Sequence, residues 1–428
     1  MTAQPEPGIP ARTTTPFHLD VDGADDRHAL NARLRAHGGA APVSLPGGLT
    51  GYAVTRHDDL KDFLAHPDVA KDACHFAALA EGRIPEGWPL LTFATVPGMT
   101  TADGADHRRL RGLATKAFTP RRVEELRPRV SDLADTLLDN LAEAAATDAD
   151  GYGTGAADLR RHFALPLPMG VLCDLMGIDA EHTDRLHTLS NRIVNTNTTP
   201  ESAVSANREM VAILAQLAAI RAAAPGDDLI SALIAAREED GGRLSEQELI
   251  GTMLLLIVAG HETTLNLITN AVRALCAHRD QLALLQSGKV PWEAAVEETM
   301  RWDAPVSFFP FRYPTRDMEV GGVRIPKGAP VLAGYTAAGR DEKAHGPAAD
   351  IFDITRDQAT RHLSFGHGAH YCIGAPLARL EATTALRTLF TRYPDLDLAI
   401  PEPELPSHPS FVGNSRQTLP IRLTPAGR

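Results

Sequence analysis

Apolar residues recur at three- and four-residue spacing through most of the chain, and the strongest such run lies near its middle, from Leu249 to about His278, with no proline inside it. Ser245 and Glu248 stand before this run as an S-x-x-E capping box. The pattern predicts one long central helix, and at 1.5 Å per residue it would be a rod of roughly 50 Å, crossing the whole molecule. Val123 to Ala146 (VEELRPRVSDLADTLLDNLAEAAA) is apolar on one face only and reads as an amphipathic surface helix. Strand signals are fewer. Gly51 to Thr55 (GYAVT) is one, and Met318 to Val331 is another, with Gly321-Gly322 and Pro326-Lys327-Gly328 supplying turns. The expected fold is mainly α with small β-sheets (α+β). Residues 17–428 read as a single domain after a flexible, Pro/Thr-rich segment over 1–16. The glycine-rich stretch Ala144 to Ala157 contains G-x-G-x-x-A, but no strand precedes it, so a dinucleotide loop is not expected there.

Composition narrows the function classes. A net charge of -12 argues against general nucleic-acid binding, which needs basic surfaces. Cys74, Cys173, Cys276 and Cys372 are widely spaced with no C-x-x-C pair, which suits neither a disulfide framework nor a zinc ribbon and fits a reducing cytoplasm. The N-terminus has no apolar signal region, and the longest uninterrupted apolar stretch, LIGTMLLLIVAG, is too short to span a bilayer. A cytoplasmic protein without a membrane partner is expected.

Three segments carry chemistry. Phe365 to Glu381 (FGHGAHYCIGAPLARLE) sets one cysteine among Gly366, Gly368 and Gly374, just before a helical pattern with Pro376 near its first turn. Most free cysteines are small buried hydrophobes, but this loop can give a thiolate backbone N–H hydrogen bonds. One thiolate cannot close a tetrahedral zinc site, yet it can be the sole axial ligand of a haem. Second, Ala259-Gly260-His261-Glu262-Thr263-Thr264 interrupts the apolar central helix with polar groups, which is costly unless they are partnered or functional. Gly260 and the back-bonding threonines are expected to open a groove, although a purely structural kink would look the same. His261-Glu262 does not begin a zinc-protease H-E-x-x-H, because Leu265 stands where the second histidine belongs. Third, Glu298 and Arg301 are three apart on one helix face.

Together these residues resemble the bacterial cytochromes P450, in order and over nearly the whole chain. The haem-loop pattern F-G-x-G-x-H-x-C-x-G is met at every position. The resemblance implies haem b (iron protoporphyrin IX), with Cys372 as the proximal ligand, Phe365 and Gly366 beside it, and Gly374 letting the next helix approach the porphyrin. It implies His107, Arg111, Arg312 and His370 as propionate partners, and Glu298, Arg301 and Arg356 as a structural triad. Glu262 and Thr263 resemble the acid and alcohol pair that manages dioxygen above the iron. Substrate contacts are expected from Val258, Ala259, Val306, Phe308 and the Phe411 to Gly413 segment with Val412, behind an entrance formed by the loop before Met99 and by Asn191 to Thr199. The chain carries no flavin or nicotinamide motif, so a separate redox partner is expected, and the resemblance implies a ferredoxin served by an NAD(P)H-dependent ferredoxin reductase. Arg108, Arg109, Lys116, Arg121 and Arg122 form a basic stretch suited to such a partner. Gly339-Arg340-Asp341 and His261 are departures from the common pattern. The activity implied is hydroxylation of a hydrophobic small molecule such as a macrolide, steroid, terpenoid or aromatic peptide. Oxidative coupling of aromatic rings and a noncatalytic haem sensor or carrier are the alternatives.

Overall fold

The computed structural model describes residues 15–19, 26–194, 199–239, 245–357 and 361–423. Most of the segment expected to be flexible, 1–14, lies outside them. The predicted central helix spans Glu246–Ala277, with Ser245 as its N-cap and the capping box closed in both directions. Helices Pro166–Met176, Thr183–Val194 and Pro200–Ala223 pack along one side of it, and helices Trp292–Trp302 and Ala375–Arg392 along another. Burial on several faces explains why its sequence is apolar almost all round.

Among the described residues two helices, the central one and Glu201–Ala223, are long and apolar enough to cross a bilayer by length and composition. For the central helix this apolarity is that of a core element, with most of its residues buried inside the protein.

The surface helix expected from Val123 to Ala146 is divided into Pro120–Glu125 and Arg127–Thr147. Pro128 stands in the first turn of the second helix, where a missing N–H costs nothing, so the periodicity continues across a break. The glycine-rich stretch after it is a turn, with Gly151, Gly153 and Gly155 at positive φ, leading into strand Ala156–Asp158.

The expected strand near the start spans Thr50–Val54 and belongs to a six-stranded mixed sheet. Met318 to Val331 resolves into a hairpin, Met318–Val320 against Val323–Ile325, followed by strand Val331–Gly334. Strand Phe308–Pro314, which pairs antiparallel with Val331–Gly334, had no sequence signal strong enough to predict it. It carries Phe309 and Arg312 to the edge of the central cavity.

Helix Trp292–Trp302 is fixed by a fully buried ion pair. Arg301 donates from Nε and Nη2 to the two Glu298 oxygens at 2.8 and 2.7 Å, and its remaining N–H groups reach the carbonyls of Gly339, Ala349 and Ile351. Arg356 comes within 3.5 Å of Glu298 and completes the expected triad. Gly339 is required by close approach, because a Cβ there would meet the Arg301 carbonyl oxygen at 1.9 Å.

Candidate active site

The cysteine loop and the middle of the central helix face each other across a deep cavity. Cys372 is held at the loop's end by a backbone bond from its N–H to the Phe365 carbonyl at 2.8 Å. Although enclosed by neighbouring segments, its side chain is exposed through the cavity that it lines. Burial pushes the thiol up, against backbone N–H groups of Gly374 and Ala375 and the nearby Arg111 guanidinium, which favour the thiolate. That N–H donor set is the kind that tunes a metal-bound sulfur. Phe365, Gly366, His370 and Gly374 line the same cavity.

One rim of the cavity is cationic. His107, Arg111 and Arg312 all line it, as the resemblance implied, and the His107 and His370 rings lie 4.0 Å apart. Arg111 also donates to the Tyr371 carbonyl at 2.6 Å. Lys71, which the sequence reading missed, joins them. Its ammonium is fully buried, donates to the Pro310 carbonyl at 3.3 Å and lies over the Phe309 ring. Burial, with Arg312 beside it, pushes the Lys71 pKa well down. Among the described residues neither Lys71 nor Arg312 has a carboxylate at ion-pair distance, and His107 Nε2 has no hydrogen-bond partner. Two buried basic side chains and an unsatisfied ring nitrogen, on the same cavity as a lone cysteine sulfur, fit a flat cofactor with a central metal and carboxylates at one edge, which would supply the missing counter-charges. If Lys71 is a carboxylate partner, Lys71→Met should leave the fold intact and raise the rate of haem transfer to apomyoglobin about tenfold or more, as loss of a charge-assisted bond predicts. An unchanged transfer rate would remove Lys71 from the site.

On the central helix, Thr263 faces the cavity and Glu262 does not. The Thr263 hydroxyl donates to the Ala259 carbonyl at 2.9 Å, the back-bond that threonines make in a bent helix. Gly260 lets helix Pro166–Met176 come close, since a Cβ there would sit 3.2 Å from Leu172 Cδ2. Glu262 points behind the cavity wall and accepts from Arg160 Nη2 at 2.9 Å. Arg160 is anchored in turn by Asn266 and Ser415. Burial alone would raise the Glu262 carboxyl, but Arg160, with His261 and His408 behind it, holds it at about 2. The Glu262 and Thr263 side chains are thus adjacent in sequence but serve different surroundings. Glu381, also on the cavity wall, is a second group that the sequence did not single out. Its burial raises the carboxyl well above the ordinary range, so its neutral acid form is favoured.

Of the expected substrate contacts, Ala259 and Val306 line the cavity. Val258, Phe308 and Val412 do not. Val258 is turned about one hundred degrees from Ala259 round the helix and packs against the core. Phe308 is buried beneath the sheet while its neighbour Phe309 reaches the cavity, as strand alternation requires. Val412 packs in the same cluster as Phe308. Met99 and Thr100, which follow the expected entrance loop, line the cavity, whereas 195–198 of the second expected entrance segment lie outside the described residues. The basic stretch is partly neutralised within the chain: Arg109 pairs with Glu248, Arg121 with Glu125 and Arg122 with Asp227. The Lys116 side chain lies outside the described residues.

Comparison with known proteins is consistent along the chain. The family model described as cytochrome P450 matches residues 292–420, which contain both the Glu298–Arg301 pair and the cysteine loop. The chain is 40% identical over 409 residues to the 2-hydroxy-5-methyl-1-naphthoate 7-hydroxylase of Streptomyces carzinostaticus, covering 95% of this chain and 97% of that protein. It is 37% identical over 424 residues to the 6-deoxyerythronolide B hydroxylase of Saccharopolyspora erythraea, covering 97% and 99%. The solved structure of CYP154C4 from Streptomyces sp. W2061 aligns with a TM-score of 0.90 at 41% identity, covering 96% of this chain and 99% of that one.

Proposed function

Because this chain belongs to the cytochrome P450 family, we propose that it is a monooxygenase that hydroxylates an unactivated C–H bond of a hydrophobic natural product, such as a macrolide, a steroid or a polycyclic aromatic acid. The observation that carries this reading is the cavity itself, which sets Thr263 on the central helix opposite the Cys372 side chain, with an otherwise largely apolar wall including Leu255, Leu256, Val306 and Phe309. Relatives named as hydroxylases of a naphthoate and of 6-deoxyerythronolide B support the substrate class.

The proposed cofactor is haem b, held by the Cys372 thiolate, with Lys71, His107, Arg111, Arg312 and His370 on its carboxylates. When bound, it supplies the activation of dioxygen, one atom of which enters the substrate while the other leaves as water, at the expense of two electrons and two protons. The protein's own part is to exclude water with the apolar wall, to orient the substrate, to present the Thr263 hydroxyl to the reacting face and to supply protons from the polar cluster behind it. Electrons are proposed to come from a ferredoxin and its NAD(P)H-dependent reductase in the cytoplasm, a setting that the four free cysteines support.

Turnover with a reconstituted ferredoxin system under heavy-isotope dioxygen tests this reading over a panel of macrolides, steroids and aromatic acids. The expected product carries one labelled oxygen atom. A product that has lost hydrogen and gained no label would overturn hydroxylation in favour of oxidative coupling.

A further inference from the structure

Behind the cavity wall lies a cluster of titratable groups that holding a cofactor does not explain. Glu262 Oε1 is occupied by Arg160, whereas Oε2 is buried and has no hydrogen-bond partner. His261 Nε2 lies 3.9 Å from that free oxygen. The His261 ring is fully buried, and its Nδ1 lies 2.7 Å from the Ile257 carbonyl, which can only accept. Nδ1 therefore carries the proton, and in the neutral ring Nε2 carries the lone pair. His187, on helix Thr183–Val194, places its Nδ1 3.3 Å from that same nitrogen. His187 is only half-buried, so the three side chains form a line from the outer helix to the unpartnered carboxylate oxygen.

We propose that His187 and His261 are the route by which protons reach Glu262 during turnover, an inference that rests on the monooxygenase reading, whose reaction consumes protons. A solvent proton binds His187 Nε2 as the Nδ1 proton crosses to His261 Nε2. The resulting His261 imidazolium passes that proton to Glu262 Oε2, leaving neutral rings and a neutral carboxyl. His187 then returns to its starting tautomer by exchange with solvent. The groups facing this path are Arg160 and His408 around Glu262, and Asp184 near His187. Burial, with His261 beside it, lowers His187 to about 4, and burial lowers His261 as well, so both rings are neutral at rest. Arg160 keeps Glu262 from retaining the proton, so the route delivers rather than stores it.

Two measurements test the route. Histidine nitrogen shifts in the ferrous carbon monoxide form read the tautomers without turnover: His261 is expected as the Nδ1–H form, with its Nε2 resonance moving when His187 becomes Phe. In the reconstituted holoenzyme, His187→Phe is expected to lower product formed per NAD(P)H on the order of tenfold and to enlarge the solvent deuterium isotope effect, while the carbon monoxide spectrum stays unchanged. His187→Glu, which can also pass a proton, should restore most of the yield, which a merely structural role would not predict. His261→Phe combined with His187→Phe should be no worse than either alone. An Nε2–H tautomer at His261, or a wild-type yield and isotope effect in His187→Phe, would overturn the route. Failure of the monooxygenase reading would show in the wild-type protein instead, as reductant consumed with no labelled product, and would remove the demand for protons on which the route rests.

Discussion

Glu298→Ala should lower the free energy of unfolding by about 3–5 kcal/mol, because it leaves the Arg301 guanidinium buried without its counter-charge. Both side chains are fully buried, and Glu298 Oε1 also accepts the Asp353 N–H at 2.8 Å, so a single deletion frees polar groups on two segments at once. Replacing both partners by apolar residues would not restore stability here, since the carbonyls of Gly339, Ala349 and Ile351 would lose the donors that Arg301 supplies. Urea unfolding followed by circular dichroism measures the effect. A loss below about 1 kcal/mol would contradict the structural role assigned to the pair.

Thr263→Ala should leave the cofactor bound and reduce product per NAD(P)H by about tenfold or more, with the balance of reducing equivalents appearing as peroxide or water. The substitution removes the γ-methyl and a hydroxyl that, in this structure, is donated to Ala259, and alanine is the better helix former, so the helix itself loses little. Thr263→Ser keeps the hydroxyl and is expected to retain most of the coupling. Product, peroxide and NAD(P)H measured together decide the matter. Unchanged coupling in Thr263→Ala would remove the residue from oxygen handling.

The central helix was legible because its limits are set locally, by a capping box at Ser245 and an unbroken 3.6-residue pattern to its end. The cysteine loop was legible for the same reason, as its glycines, cysteine and following helix start lie within a few residues of one another. The break after Glu125 was missed because a proline in a helix's first turn does not disturb the apolar spacing around it. What remained hidden depends on contacts between distant segments. Arg160 meets Glu262 across 102 positions, and nothing in LRRHF announces that one arginine is buried and the next exposed. Lys71 reads as an ordinary solvated lysine until the fold places it beside Arg312. Phe308 was chosen over Phe309 because the strand holding both was not predicted, so its two-residue alternation was never available. Part of the basic stretch looked free because two of its acids, Glu248 and Asp227, come from other parts of the chain.

The claim on which the rest depends is that Cys372 presents a thiolate to a haem iron. The absorption spectrum of the purified protein, reduced and exposed to carbon monoxide, tests it most directly. A thiolate-ligated haem is expected to give a strongly red-shifted Soret band that is lost in Cys372→Ala. A shorter-wavelength band in the freshly prepared wild-type protein, or a protein that binds no haem, would contradict it.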